Sequence, residues 1–274
     1  MAVKIDKLAH EVMVKAQLAA ALEVSAYPKP GNVHRLRDFA DTMLEDFAVA
    51  SIIAVPHLYR AARRGARIAR GWRPRVLLGD VILGMVEESM SVSGGGNTCL
   101  GTSLLLAPLA VALGYLYARD ERIEAKKLVA EATRLVREFS TVDDAVEYYR
   151  AVRRASPSYL RPEDYTGPFP NVWDPHYAEK LVAEGYRLWD VLLYSSKKDI
   201  VSREVVNNYR LSLEASRYLQ KRLEVHGNWN RAIVETYLWI LSRVRDTVVL
   251  LKHGVDVAEE VQRKARELLV AAES

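Results

Sequence analysis

Between Ile233 and Leu251 the chain reads IVETYLWILSRVRDTVVLL, and Ile233, Tyr237, Ile240, Val244, Val248 and Leu251 recur three or four positions apart. At about 3.6 residues per turn this spacing puts them on one face of a helix. Val257, Val261, Ala265 and Leu268 repeat the pattern downstream, and Leu128, Ala132, Leu135 and Phe139 show it earlier. Gly254 suits the left-handed residue that closes a helix, and Asp256 with Glu259 suits a capping box that opens the next. The last two helices therefore form a short-linked hairpin.

Extended over the whole sequence, the same periodicity predicts helices near residues 4–24, 41–64, 75–92, 98–117, 122–139, 142–154, 176–194, 201–224, 229–252 and 256–271. Strand-like alternation is hard to find. The fold class is all-α, with about ten helices in one compact domain spanning residues 1–274. The longest irregular piece, 156–175, holds Pro157, Pro162, Pro168, Pro170 and Pro175. Tyr159, Tyr165, Phe169 and Trp173 among them are costly to leave in water, so the piece is expected to pack as a surface loop and not to act as a linker.

Half of the residues are apolar and 27% are charged, which excludes a disordered chain and implies a sizeable core. The net charge of +4 comes mostly from Arg60–Arg75, a run expected to be a solvated surface, so a nucleic-acid partner is disfavoured. Cys99 is the only cysteine, so no intramolecular disulfide can form. The opening MAVKIDKLAHEV lacks the apolar core of a signal peptide, and a cytoplasmic location is expected. No charged residue occurs from Ser89 to Ala118. Because Gly94–Asn97 and Pro108 interrupt that run, Leu104–Leu116 is expected to be a central buried helix, with no membrane span.

Two loops carry the residue types that bind phosphorylated ligands. In Glu23–His34, EVSAYPKPGNVH, Pro28 and Pro30 stiffen the backbone and Gly31 can take a positive φ. The turn presents Lys29, Asn32, His34 and Arg35 as donors. In Ser93–Thr98, SGGGNT, Gly94, Gly95 and Gly96 leave backbone N–H groups unshielded before a helix N-terminus, and Asn97 and Thr98 add polar groups. Either segment could instead be a plain helix terminator or a close-packing contact. Carboxylates occur at Glu45 and Asp46, at Glu87 and Glu88 just before the glycine loop, at Asp199 and at Asp246; Mg²⁺ prefers such oxygen ligands beside phosphates.

Taken in order, EVSAYPKPGNVHR, GGGNTCLG and RDTVVLLKHG resemble the triphosphoribosyl-dephospho-CoA synthase family. There a Glu-x-x-Ala/Ser-x-Pro-Lys-Pro-Gly stretch, a Gly-Gly-x-Asn-Thr loop and a late Asp-Thr stretch ending in Gly recur; here Glu23–Gly31, Gly95–Thr98 and Asp246–Gly254 carry them. The likeness covers about residues 20–270. It implies an all-helical enzyme that joins ATP to 3′-dephospho-CoA, releases adenine and leaves a triphosphoribosyl group on the acceptor ribose, making a prosthetic-group precursor for certain acyl-carrier lyases. The usual bacterial loop reads Asn-Thr-His-Lys-Gly, whereas this chain has Asn97-Thr98-Cys99-Leu100-Gly101.

On that resemblance, charge building on the ribose ring at C1′ needs carboxylates nearby, and Glu23 and Asp246 are the expected base or ring-charge stabiliser. Lys29, Pro30, Gly31, Asn32, His34, Gly94, Gly95, Gly96, Asn97, Thr98 and Lys252 are expected to bind the nucleotide. Asp46, Glu87 and Asp199 are expected Mg²⁺ ligands, with ATP as substrate. The expected partners are small-molecule nucleotides, with no membrane; self-association is left open. A nucleotide hydrolase, or a nucleotide-binding regulator without turnover, are the alternatives. If the main reading is right, Glu23–His34, Gly94–Thr98 and Asp246–Lys252 meet around one pocket.

Overall fold

The structure is a computed structural model that describes residues 2–273 apart from Ser158, Tyr159, Arg161, Pro162, Asp164 and Thr166. Tyr159 and Pro162 of the expected packed loop thus lie outside the described residues. The described part holds thirteen helices and no strand. They are α1 (Ala2–Ser25), α2 (Leu44–Ile68), α3 (Gly79–Ser93), α4 (Leu100–Ala118), α5 (Ala125–Phe139), α6 (Val142–Ala155) and α7 (Tyr177–Glu184). After them come α8 (Leu188–Ser195), α9 (Ile200–Val206), α10 (Arg210–His226), α11 (Trp229–Arg243), α12 (Thr247–His253) and α13 (Val255–Glu273).

Three of the ten periodic stretches are each two helices. Gly185, left-handed at φ 69°, separates α7 from α8. Asn208 and Tyr209 both take positive φ between α9 and α10, and buried Glu204 accepts from Leu211 N at 3.1 Å and Ser212 N at 2.7 Å to hold the new helix start. The stretch 229–252 breaks at Val244, which is extended, and Asp246 caps α12 by accepting from Val249 N at 2.9 Å. Val244 therefore does not continue the apolar face of Ile233, Tyr237 and Ile240.

The centre is the packing of α2 on α4. A Cβ at Gly65 would lie 1.8 Å from Val111 O, and one at Gly114 would lie 1.8 Å from Ala62 O. The two backbones touch, and only glycine permits it at either place. α1 lies against α2, α3 fits between α2 and α6, and α5 and α9 close the far side of α4. α3 is tied to α6 by buried Asp144, whose Oδ1 accepts from Leu77 N, Leu78 N and Gly79 N at 2.7–2.9 Å. One large core runs from Val12 to Tyr209, and a smaller cluster of Leu238, Leu241 and Ala265 joins α11 to α13.

α4 differs from expectation in one respect. It runs unbroken through Pro108 and is long and apolar enough to cross a membrane by length and composition. Proline removes an N–H and disturbs the preceding turn; there, Leu105 O accepts the Tyr209 hydroxyl at 2.9 Å. Over half of the helix is buried by its neighbours, and Leu105 and Leu109 pack against the core. The arginine run is exposed apart from half-buried Arg64, which grips Asp80. In the 156–175 loop, Phe169 sits between Tyr186 and Tyr194, with ring centroids 4.5 and 5.2 Å away.

α10 and α11 are joined by Glu235, 3% exposed, which accepts from Arg222, from Arg231 and, at 2.9 Å, from His226 Nε2. Burial by itself would raise its pKa; the hydrogen bonds of Arg222, Arg231 and His226 outweigh that and pull it down to about 2.

Two outcomes follow from these contacts. Helix propensity alone would favour alanine over glycine by about 1 kcal/mol, but overpacking costs about 1–3 kcal/mol or more. Gly114→Ala should therefore lower stability in denaturant unfolding, while Gly101→Ala, whose Cβ would meet only Val201 Cγ2 at 3.7 Å, should not. For Glu235, a depressed folded pKa supplies stability that is full above the unfolded value of about 4.3 and is lost as pH falls towards 2. Glu235→Gln should be less stable at pH 7 and should lose less stability than the parent between pH 4.5 and 2, measured by denaturant unfolding at each pH.

Candidate active site

The first segment owes its shape to a reverse turn. Asn32 N donates to Lys29 O at 3.1 Å across Pro30 and Gly31, and Gly31 takes φ 83°, as a type II turn requires. The turn is fastened to α11 by Asn230, whose Oδ1 accepts from Tyr27 N at 2.9 Å and whose Nδ2 donates to Tyr27 O at 2.7 Å. Arg35 stacks over the Tyr27 ring and donates to Ser25 O at 2.6 Å. Tyr237 of α11 donates to Pro30 O at 2.5 Å.

Lys29 is 1% exposed, and its ammonium donates to Glu23 Oε1 and, at 2.6 Å, to Glu23 O. The expected phosphate contact is thus a buried partner of the expected base. It fixes the Glu23 carboxylate, which is itself 56% exposed, at the mouth of the site.

The glycine loop is used differently from the expected anion cradle. Gly94 closes α3 at φ 73°, with its N–H on Met90 O. Gly95 N donates to Ser93 Oγ at 3.1 Å and Gly96 N to Asp41 O at 3.1 Å. All three N–H groups are therefore spent inside the protein. Gly95 is required by packing, since a Cβ there would lie 2.5 Å from the buried Asp46 carboxylate. Asn97 Oδ1 accepts from Cys99 N at 3.3 Å and Leu100 N at 3.0 Å, capping α4. With Oδ1 committed, the Nδ2 amide is what Asn97 can offer to a ligand.

A cavity of about 590 Å³, within the usual range for small-molecule sites, gathers the three segments. Its wall includes Glu23, Lys29, Pro30, Gly31 and Asn32 from the first segment, Gly96 and Asn97 from the second, and Asp246 and Lys252 from the third. His34, Gly94, Gly95 and Thr98 do not line it. His34 is buried in a two-residue bridge with Arg37, and Thr98 faces Ser89 at 3.4 Å. Asp41, Phe39, Pro157 and Tyr237 line it without having been expected. Tyr237 had a sequence signal only as one more apolar-face residue. Burial first, and then the negative charges of Asp246 and Glu23, push its hydroxyl well above the ordinary tyrosine range, so it stays a protonated donor.

The three expected metal ligands are not brought together. Asp46 Oδ2 accepts from Met43 N at 2.8 Å to open α2, and Asp199 caps α9 through Val201 N and Ser202 N. Glu87 is exposed on α3, and its neighbour Glu88 lies 3.0 Å from His57 Nε2. Among the described residues no three His, Cys, Asp or Glu side chains are placed to hold a metal ion. Cys99 and Leu100, where the loop departs from the bacterial form, are both buried in the core. Burial pushes the Cys99 thiol up to about 11, so it is no nucleophile.

The carboxylates Glu23, Asp41 and Asp246 against Lys29 and Lys252 make this a cavity suited to stabilising positive charge on a bound group. Compared with known proteins, the chain matches the family model of ATP:dephospho-CoA triphosphoribosyl transferases over residues 9–274. A solved structure from Archaeoglobus fulgidus, provisionally described as a triphosphoribosyl-dephospho-CoA synthase, shares its fold with a TM-score of 0.61. The identity is 22%, and 81% of each chain is covered. No curated protein matches.

The double duty of Asn97 has a measurable signature in stability. Asn97→Ala should lose the α4 cap, worth about 1 kcal/mol, and melt lower than the parent. Asn97→Asp keeps an acceptor for Cys99 N and Leu100 N and should melt close to it.

Proposed function

The chain belongs to the ATP:dephospho-CoA triphosphoribosyl transferase family and is an enzyme of triphosphoribosyl transfer, and we propose that the transfer takes place in the cavity between Glu23, Asn97 and Asp246. The observation that carries this reading is convergence. Residues 23–32, 96–97 and 246–252 share one wall, and helix termination alone gives no reason for that.

In this reading the ribose hydroxyl of 3′-dephospho-CoA attacks C1′ of ATP. The C1′–O bond forms, the C1′–N9 bond breaks, and adenine leaves with the electron pair and takes up a proton. Positive charge builds on the ribose ring as the bond to adenine lengthens, and a nearby carboxylate stabilises it. Glu23 and Asp246 fill the two carboxylate roles, one receiving the acceptor proton and the other facing the ring. Asn97 Nδ2 is a neutral donor for ribose or phosphate oxygens, the Tyr237 hydroxyl, whose proton is given to Pro30 O, holds the turn in place, and Lys252 is the cation on the phosphate side. The turn Lys29–Asn32 shapes the wall. Because α1, α11, α12 and α13 all contribute lining residues, the whole chain works as one domain. Mg²⁺ is assigned no step, since among the described residues no three such side chains are placed to hold it.

Incubation with ATP and 3′-dephospho-CoA should release adenine in step with a product heavier by one triphosphoribosyl group. Asn97→Asp and Asp246→Asn should slow this by about 100-fold or more, the usual effect of losing one preorganised electrostatic group, with melting close to the parent. Adenine release at the same rate without acceptor would make the enzyme a hydrolase. ATP binding with no adenine release would make it a binding protein.

A further inference from the structure

A second cleft, of about 690 Å³, lies on the other side of α12, between the α8–α9 connection, the end of α11 and α13. α12 divides the two: Asp246, Val248, Val249 and Lys252 line the catalytic cavity, while Arg245, Thr247 and Leu250 line the second cleft. The clefts share no lining residue, and a helix with its side chains is about 10–12 Å across, so one small ligand cannot occupy both.

The second cleft is strongly cationic. Lys197, Lys198, Arg203, Arg243, Arg245 and Arg266 line it, against the single carboxylate of Glu259. Glu259 is taken by Arg245 at 3.3 Å. Among the described residues none of the other five cations has an ion-pair partner. Arg203 and Arg266 donate only to the backbone carbonyls of Ser196, Lys197 and Ser242, which orients them without neutralising them. Elsewhere arginines are commonly matched with acids, as Arg64 with Asp80, Arg75 with Asp143 and Arg263 with Glu260.

Those carbonyls belong to the ends of α8 and α11, and each helix end contributes roughly half a negative charge. Lys197 lies over the Tyr194 ring and Arg243 over the Trp239 ring, contacts that position the cations without cancelling their charge, so five cations with no carboxylate partner leave a clear positive excess in the cleft. Like charges are not gathered in a concave site without a cost in self-repulsion, which a bound polyanion would relieve. No aromatic side chain lines the cleft, so it has nothing on which a base could stack, as single-stranded nucleic acid requires. Arginine forks and lysine ammonium groups with free donors are the partners that phosphate oxygens prefer.

We propose that this cleft is a second anion site that binds the phosphate chain of a polyphosphate or nucleoside polyphosphate, apart from the catalytic cavity and independent of base identity. It goes beyond the transfer chemistry and stands without it. Occupancy would be felt by α12, whose start Thr247 accepts from Ile200 N at 3.2 Å and whose other face carries Asp246 and Lys252.

The test is calorimetric titration of the intact enzyme with inorganic tripolyphosphate at physiological salt. One saturable event is expected. It should weaken at least about tenfold in Lys198→Gln/Arg243→Gln, as when charge-assisted contacts are lost, and persist in Asn97→Asp. Both replaced side chains are exposed, and melting of the double variant reports whether it is folded. ATP and GTP displacing tripolyphosphate equally would identify nucleotides as the source of the phosphate chain; displacement by neither would identify free polyphosphate. The proposal is overturned if tripolyphosphate fails to bind, if a strong base preference appears, or if binding is lost in Asn97→Asp but kept in the folded double variant. Binding of single-stranded RNA at the cleft in place of tripolyphosphate would equally overturn it.

Discussion

Where α2 crosses α4, no side chain separates the two backbones: Gly65 faces Val111 O and Gly114 faces Ala62 O. The part of the cavity wall at Asp41, Thr42, Gly96 and Asn97 lies at the starts of these two helices. α2 starts just after Asp41–Met43, and α4 starts just after Asn97. The bond from Gly96 N to Asp41 O and the packing of Gly95 on Asp46 show that both helices begin at the same end of the molecule. A close crossing of two long rods fixes the separation of their ends, because well-packed interiors transmit displacement and do not absorb it. The glycine loop can therefore be short and fully bonded to its own neighbours. It serves by presenting the Asn97 amide at the cavity wall, with bare backbone kept for packing.

The two clefts flanking α12 show how one short helix can divide opposite electrostatic environments. On the side of the first cavity, carboxylates outnumber ammonium groups and the buried cation, Lys29, is already matched with Glu23. Such a wall favours a ring that becomes positive and does little for a bare phosphate chain. On the far side the balance reverses. Residues three apart on a helix share a face, so Val249 and Lys252 of α12 belong to one environment while Thr247 and Leu250 belong to the other.

Fold class was legible because it rests on local signals, and the meeting of the three segments was expected from the family resemblance. Apolar spacing marks helices, Pro30–Gly31 marks a turn, and Gly254 marks a helix end, whereas Gly185 ends α7 inside a stretch read as one helix. The breaks at Asn208–Tyr209 and Val244 were not legible, since apolar spacing runs through them and the deciding groups are caps: Glu204 reaching Leu211 N, and Asp246 reaching Val249 N. The break at Val244 also re-aims Asp246, which sequence periodicity placed mid-helix. The bond from the Tyr209 hydroxyl to Leu105 O, in the turn before Pro108, comes from a hundred residues away and has no local signal. Within the site, single residues could be chosen by type, but their partners could not. The Glu23 and Lys29 side chains pair because the turn between them folds back, and His34 faces inward because its backbone bridges to Arg37. Asp46, Glu87 and Asp199 share a residue type suited to metal binding; two of them are spent on helix starts, the commonest local use of an aspartate.

The grip of Asn230 on both backbone groups of Tyr27 spans 203 positions of sequence, and this sets an order of events as the chain is made. The main core is complete once α10 has begun, because past Tyr209 it takes only Leu213 and draws nothing from α11, α12 or α13. The Pro30 turn has by then been synthesised for a long while, yet its anchors Asn230 and Tyr237 and the opposite wall at Asp246 and Lys252 have not. At about 5–20 residues per second, a nascent chain spends several seconds as a packed helical body whose ligand site lacks a side. The cavity wall is therefore complete only after the main core's own residues have all been made.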